Sequence, residues 1–250
     1  MIKIYSVADL HNIPDGTTYL DISKLNINKI PSDLPDSIIQ LYCMQNLITE
    51  INWDLLPSKL QVLFCNNNNI SIVSGKIPST LTKFVISDNL LNKLPDLTNA
   101  NSLQYIDVEY NVITSIDNFI PNTVYYLNCS HNKIEFINSY NELTQLNCSH
   151  NFINSLQNLS RKLQYLDCID NEITILTDLP DDLQYLKCAW NKIHTLDIAY
   201  CFHLRLLSCD NNHLSNKFME IIYSDQLYFT QKIQSLIDNN LIPVNNYVLK

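Results

Sequence analysis

One pattern governs this chain of 250 residues. An apolar residue is followed three positions on by another and two further by a cysteine or aliphatic; an asparagine comes three later, then two more aliphatics. Leu60-Leu63-Cys65-Asn68-Ile70-Val73 is one copy, and Leu163-Leu166-Cys168-Asn171-Ile173-Leu176 is another. The asparagines are Asn46, Asn68, Asn89, Asn111, Asn132, Asn151, Asn171, Asn191 and Asn212, recurring every 19 to 22 residues. A degenerate first copy, Leu20-Ile22-Leu25-Ile27-Ile30, has Leu25 in place of the asparagine and brings the count to ten. Self-similarity at this period means stacked units, each too small to bury its own apolar face.

In a strand, alternate side chains share a face, so Leu146 and Cys148 point together while Asn147 points away. Each copy therefore predicts one short strand with two inward teeth, and stacking the copies predicts a parallel sheet. The asparagine is expected to turn inward where the chain leaves the strand, its amide donating to and accepting from backbone groups that the bend leaves unpaired. About ten residues per copy remain for the return path, too few for a long helix with two loops. The prolines there (Pro35, Pro57, Pro180) favour extended or 3₁₀ segments.

Over roughly residues 17–214 the pattern resembles the leucine-rich repeat family, whose signature is L-x-x-L-x-L-x-x-N/C-x-L. The short period and the Leu-Pro before several copies (Leu34-Pro35, Leu56-Pro57, Leu179-Pro180) look most like the repeats of bacterial effectors and of giant amoebal DNA viruses. The resemblance implies an α/β-type solenoid: a horseshoe with a concave parallel sheet of about ten short strands, a convex side mostly irregular or 3₁₀, and a C-terminal helical cap. One domain is expected over 1–250, with an N-terminal cap at 1–16, repeats at 17–214 and a C-terminal cap at 215–250. Phe218, Ile221, Ile222, Leu227, Phe229, Ile233 and Leu236 are spaced for short helices on the last rung, and Ile2, Ile4 and Val7 are candidates for the opposite cap.

The string NCSHN, ending once at Asn132 and again at Asn151, suggests Cys–His chemistry, and the repeat decides against it. Seven of the 8 cysteines (Cys43, Cys65, Cys129, Cys148, Cys168, Cys188, Cys209) fill the inner tooth that Ile22, Ile86 and Val108 fill in other copies. An aliphatic can replace them only if packing is the role. Parallel side chains on neighbouring strands do not suit disulfides, so free buried thiols and a reducing compartment are expected. The line of His131, His150 and Asp170 is a poor tetrahedron. Cys201, His203, Cys209 and His213 do not converge, because Cys209 is a tooth. No metal and no cofactor is expected.

Positions flanking the teeth face the concave side. Four tyrosines, Tyr105, Tyr126, Tyr165 and Tyr185, form a stripe there, joined by Asp107, Asp167, His131, His150 and Trp190. Tyr and Trp are favoured where proteins meet, because a ring gives large contact area for little lost freedom; they also have high strand propensity and stabilise one another across strands.

A formal charge of −9 argues against nucleic acid and anionic membrane, since phosphate binding needs clustered Lys and Arg. With 2 glycines no phosphate-cradling loop can be built. The first residues lack a signal-peptide core, and no apolar run approaches a membrane span. The expectation is a non-enzymatic cytoplasmic scaffold, in a host cytoplasm or a virion, binding an unidentified protein or peptide. Two alternatives stay open: a structural virion or assembly component, and a ubiquitin-pathway adaptor or thiol enzyme using Cys201. Effectors of this kind carry a separate ligase domain with its own cysteine, for which residues 215–250 are too few.

Overall fold

The computed structural model describes residues 2–116, 120–137, 142–224 and 229–242. The chain divides into two compact units, residues 1–134 and 135–250.

In the first unit each repeat contributes one short parallel strand: Tyr19–Asp21, Gln40–Tyr42, Val62–Phe64, Lys83–Val85, Tyr105–Asp107 and Tyr126–Asn128. The register advances by one repeat per strand, so Leu20, Leu41, Leu63, Phe84, Ile106 and Leu127 pair in series. All six are fully buried, as are the teeth that follow them, Ile22, Cys43, Cys65, Ile86, Val108 and Cys129. The second unit repeats this with Gln145–Asn147, Tyr165–Asp167, Tyr185–Lys187 and Leu206–Ser208, whose central leucines again stand in register. The fold is a parallel-sheet solenoid, and its core is the column of leucines and cysteines behind the sheet.

The sheet has one strand more than the repeats supply. Ile2–Lys3 pairs with Leu20–Asp21 and covers the first rung as a strand. Ile4 and Leu10 are buried beside it, while Val7 is 51% exposed, so that cap candidate does not pack. The alternation begun by Ile2–Lys3 ends at Ser6, and the 3₁₀ turn Val7–Asn12 brings Leu10 to the core instead.

The return paths also carry more strand than expected. Glu50–Asn52 pairs with Ile72–Ser74 in the first unit, and Ile175–Leu176 with Thr195–Leu196 in the second. A 3₁₀ turn, Trp53–Leu55, follows the first of these, with the side chain of Asn52 accepting the amide of Asp54. β-Branched Ile72, Val73, Ile175 and Thr195 favour the extended state wherever two successive return paths lie flush. Gly75 ends the Ile72–Ser74 strand at φ 79°, and a Cβ there would stand 2.6 Å from Asn52 Oδ1 and 2.9 Å from the Asp54 nitrogen.

After the last rung come two helices, α1 (Asn216–Ile222) and α2 (Phe229–Asp238). Ser215 caps α1 by accepting the amide of Phe218, and the Lys232 ammonium donates to the carbonyl of Ile222 at its far end. Phe218, Ile222, Ile233 and Leu236 are buried as a cap requires, and Ile221 is half-buried. Leu227 lies outside the described residues.

Candidate functional site

What faces outward depends on how each rung turns. Each ladder asparagine sits at the bend with its amide group turned in. Asn89 Oδ1 accepts the amide of Ile70 at 2.8 Å, and its Nδ2 stands 3.1 Å from the carbonyl oxygens of both Cys65 and Ile86. Asn46, Asn68, Asn111 and Asn132 repeat the arrangement in the first unit. Asn171, Asn191 and Asn212 do so in the second, where Asn151 donates to the carbonyl of Cys148. One side chain thus serves its own rung and the one before it.

The residue preceding each asparagine is left-handed: Gln45, Asn67, Asp88, Tyr110 and His131 in the first unit, and His150, Asp170, Trp190 and Asn211 in the second, with φ between 49° and 59°. None is glycine. Outside Gly, Asn and Asp this conformation costs about 1–2 kcal/mol per residue, so Tyr110 and Trp190 are held by the rung around them. The bend also swings these side chains away from the teeth. His131 stacks on Tyr110 instead, and the rest of the NCSHN string has structural work. Ser130 and Ser149 donate their hydroxyls to Asn128 and Asn147 at 2.7 and 2.8 Å, and both asparagines accept the amide two residues on.

That turn explains the strand-end acids too. Asp21, Asp107 and Asp167 accept the amides of Ser23, Glu109 and Ile169, a role the Asp/Asn-x-x spacing could have disclosed beforehand.

On the first unit's outward face the rings form a rail. Tyr19 and Tyr42 lie 4.8 Å apart between centroids, Tyr42 and Phe64 5.0 Å, and Tyr105 and Tyr126 4.0 Å with planes 3° apart. The gap at the middle rung is filled by Lys83, whose Nζ lies 5.1 Å from the Phe64 centroid and 3.8 Å from that of Tyr105. Tyr105 is covered on one side by Lys83 and on the other by Tyr126, to which its hydroxyl is also hydrogen-bonded, and this leaves the ring edge outward. Tyr110 stacks on His131 at 4.0 Å. Acids crowd beside the rail. Burial, aided by the charges of Glu109 and Asp88, pushes the Asp107 carboxyl up to about 6 against the pull of the Glu109 amide and Asn128. Asp88 is raised by burial and by Glu109, whereas Asp21 is lowered, burial being outweighed by Ser23 and Lys3.

The second unit's face is arranged differently. Tyr165 and Tyr185 are tilted, 6.2 Å apart. The Tyr165 hydroxyl donates to Asp167 at 3.1 Å, and Lys187 reaches the same carboxylate at 3.3 Å. His150 Nδ1 lies 2.9 Å from Asp170, and Trp190, one rung on, is 62% exposed. The four tyrosines therefore resolve into a tight pair in one unit and a loose pair in the other.

All eight cysteines are free and buried. Cys43 and Cys65 donate Sγ–H to the carbonyls of Phe64 and Val85 at 3.4 and 3.3 Å. Burial pushes Cys129 up to about 12 and Cys209 up to about 11. Cys201, the one outside the ladder, is 1% exposed and is pushed up to about 12 by burial, so it lacks the activated thiolate that a thiol enzyme needs. His203 points to the carbonyl of Asp181 rather than to a cysteine. Among the described residues no group of three or more His, Cys, Asp or Glu is placed to hold a metal, and no helix is long and apolar enough to cross a membrane.

A one-strand-per-repeat parallel sheet, an inward asparagine ladder and a short, nearly helix-free return path define a leucine-rich repeat solenoid. Its relatives are leucine-rich repeat proteins. Leucine-rich repeat protein R380 of Acanthamoeba polyphaga mimivirus is 34% identical over 137 residues, 55% of this chain and 28% of that protein. Among solved structures, the functional domain of InlJ from Listeria monocytogenes, which includes a cysteine ladder, matches with a TM-score of 0.70 at 29% identity, over 79% of this chain and 44% of that one. YopM from Yersinia enterocolitica matches with a TM-score of 0.65 at 25% identity, over 83% and 49%. The chain thus spans about a quarter to a half of the length of these relatives. No protein-family model matches it.

Proposed function

We propose that this chain is a non-enzymatic scaffold that holds a protein or peptide against the outward, concave side of its strands. In the first unit the contacts fall on Tyr105, Tyr126, Asp107 and His131; in the second they fall on Tyr165, Tyr185, Asp167, His150 and Trp190. The observation that carries this is the disposition of the rings. With their faces turned to one another, the first unit's tyrosines offer ring edges and a hydroxyl pair already joined by a hydrogen bond, which suit a polypeptide better than a flat ligand that must stack. The scaffold role common to leucine-rich repeat folds supports the reading. The buried free thiols favour a reducing compartment, and the likeness to the mimivirus protein favours a viral protein acting in a host cytoplasm or carried in a virion.

The test is a pair of fourfold variants. Tyr→Ala at 105, 126, 165 and 185 is expected to abolish capture of partners from host lysate, and Tyr→Phe at the same sites to reduce it while keeping the stacks. Far-UV circular dichroism shows that each variant remains folded. Capture unchanged in the folded alanine variant refutes the assignment.

A further inference from the structure

We propose that the Trp190 corner of the second unit is a seat for a cationic side chain, arginine above all, presented by a basic peptide segment. This rests on reading that unit's outward face as a binding surface and adds the chemistry of what it binds.

Trp190 is 62% exposed in a left-handed position that a small polar residue would fill with less strain. An open indole face is the strongest aromatic site for a cation. The rungs on either side supply carboxylates. Asp170 precedes it, its amide bonded to the carbonyl of Ala189, and Asp210 follows, its carbonyl accepting the Trp190 amide at 2.9 Å. Nearby lysines are already committed, Lys187 to Asp167 and Lys192 to Glu172. Among the described residues neither Asp170 nor Asp210 has a Lys or Arg partner: Asp170 meets His150, and Asp210 takes the hydroxyl of Tyr223. An exposed indole whose neighbouring rungs carry the exposed acids Asp170 and Asp210, in a chain of formal charge −9, is complementary to a cation and repels an anion. A guanidinium fits better than an ammonium, because it lies flat on an indole and still donates in its own plane to a carboxylate.

The experiment follows the indole N–H signals of Trp53 and Trp190 in the ¹⁵N-labelled full chain, assigned with Trp190→Phe. The probe is acetyl-Gly-Arg-Gly-Arg-Gly-Arg-Gly amide, and its control is the same peptide with neutral citrulline for arginine. The arginine peptide is expected to move the Trp190 signal saturably and leave buried Trp53 in place, with the citrulline peptide about 10-fold weaker or more. Asp170→Asn and Asp210→Asn should each weaken binding several-fold, and Trp190→Ala should weaken it more than Trp190→Phe. Equal binding of the two peptides, unchanged affinity in Trp190→Ala, or a Trp190 signal that stays still up to about 1 mM peptide overturns the proposal. Silence at Trp190 with tyrosine-dependent capture intact sinks this inference alone. The reverse pattern sinks only the tyrosine assignment.

Discussion

Asn68 holds the carbonyl of Cys43, one rung back, with its Nδ2 3.0 Å from that oxygen, while its Oδ1 takes the amide of Ile48. The same side chain also donates to Cys65 in its own rung, so each asparagine joins two turns at a buried point. Asn89→Ala would leave the amide of Ile70 without a partner and take one of two side-chain donors from the carbonyls of Cys65 and Ile86, which keep those of Asn68 and Asn111. At about 1–3 kcal/mol for the stranded buried amide, and less for each carbonyl that keeps a second donor, we expect a loss of about 2 kcal/mol or more in urea unfolding. Asn89→Asp restores the acceptor but sets a buried carboxylate against the carbonyl oxygens of Cys65 and Ile86, and should recover less than half of that.

The cysteine column predicts alkaline fragility. Thiols with an ordinary value of 9.0 are pushed up to about 12 at Cys129 and about 11 at Cys209, and Cys43, Cys65, Cys168 and Cys188 are also raised by burial. Above pH 9 the unfolded chain releases protons that the native state retains, so this stabilisation is full below the unfolded value and is lost as pH rises toward the folded ones. Each thiol contributes about 1.4 kcal/mol per pH unit in that window. Circular dichroism against pH should show a steep loss of structure starting between about 9 and 10. Cys65→Val, which places in this rung the residue type that fills the tooth as Val108, should move the loss to higher pH.

Asp107 predicts the opposite end of the scale. Its carboxyl, pushed up to about 6 chiefly by burial, binds a proton more tightly folded than unfolded. Stability from this group is present below about pH 4 and is lost as pH rises through 6. Asp107→Asn keeps the acceptor for the Glu109 amide, as Asn128 does for Ser130 in the next rung. It should stabilise the protein by about 1–2 kcal/mol at pH 8 and by little at pH 4, as read from urea midpoints at the two pH values.

The left-handed row predicts gains from glycine. Gln45, at φ 54°, is exposed, and its backbone amide donates to the carbonyl of Asn66 in the next rung. Gln45→Gly should raise stability by about 0.5 kcal/mol, the relief of strain exceeding the added freedom of the unfolded chain. A loss in thermal melting would show that the Gln side chain contributes packing of its own.

The fold was legible because its rule is written once per repeat. Leu63 and Cys65 in one copy have the same surroundings as Leu166 and Cys168 in another, so a periodic sequence reveals burial without any long-range contact being known. Where the repeat stops, legibility stops as well. Nothing in Ile2-Lys3 marks it as a strand, because its partner, Leu20–Asp21, is set by the sheet edge rather than by a motif. The return-path strands depend on two segments of unequal length lying flush, which no single copy encodes. At the candidate site the sequence placed tyrosines in rows but could not set the spacing between rings. Lys83 between Phe64 and Tyr105 makes a rail in the first unit, while in the second Tyr165 and Tyr185 stand tilted and apart, with Lys187 on Asp167 and over the Tyr165 ring.

The asparagine bonds also have a direction. The amide of Ile48 waits for Asn68, that of Ile70 for Asn89 and that of Leu91 for Asn111, so a turn is completed only by the residue that follows it in the next coil. A chain emerging from the ribosome would finish each coil one step late, its newest bend always holding an unmet donor until more polypeptide arrives. During synthesis such an array would close from its first coil toward its last.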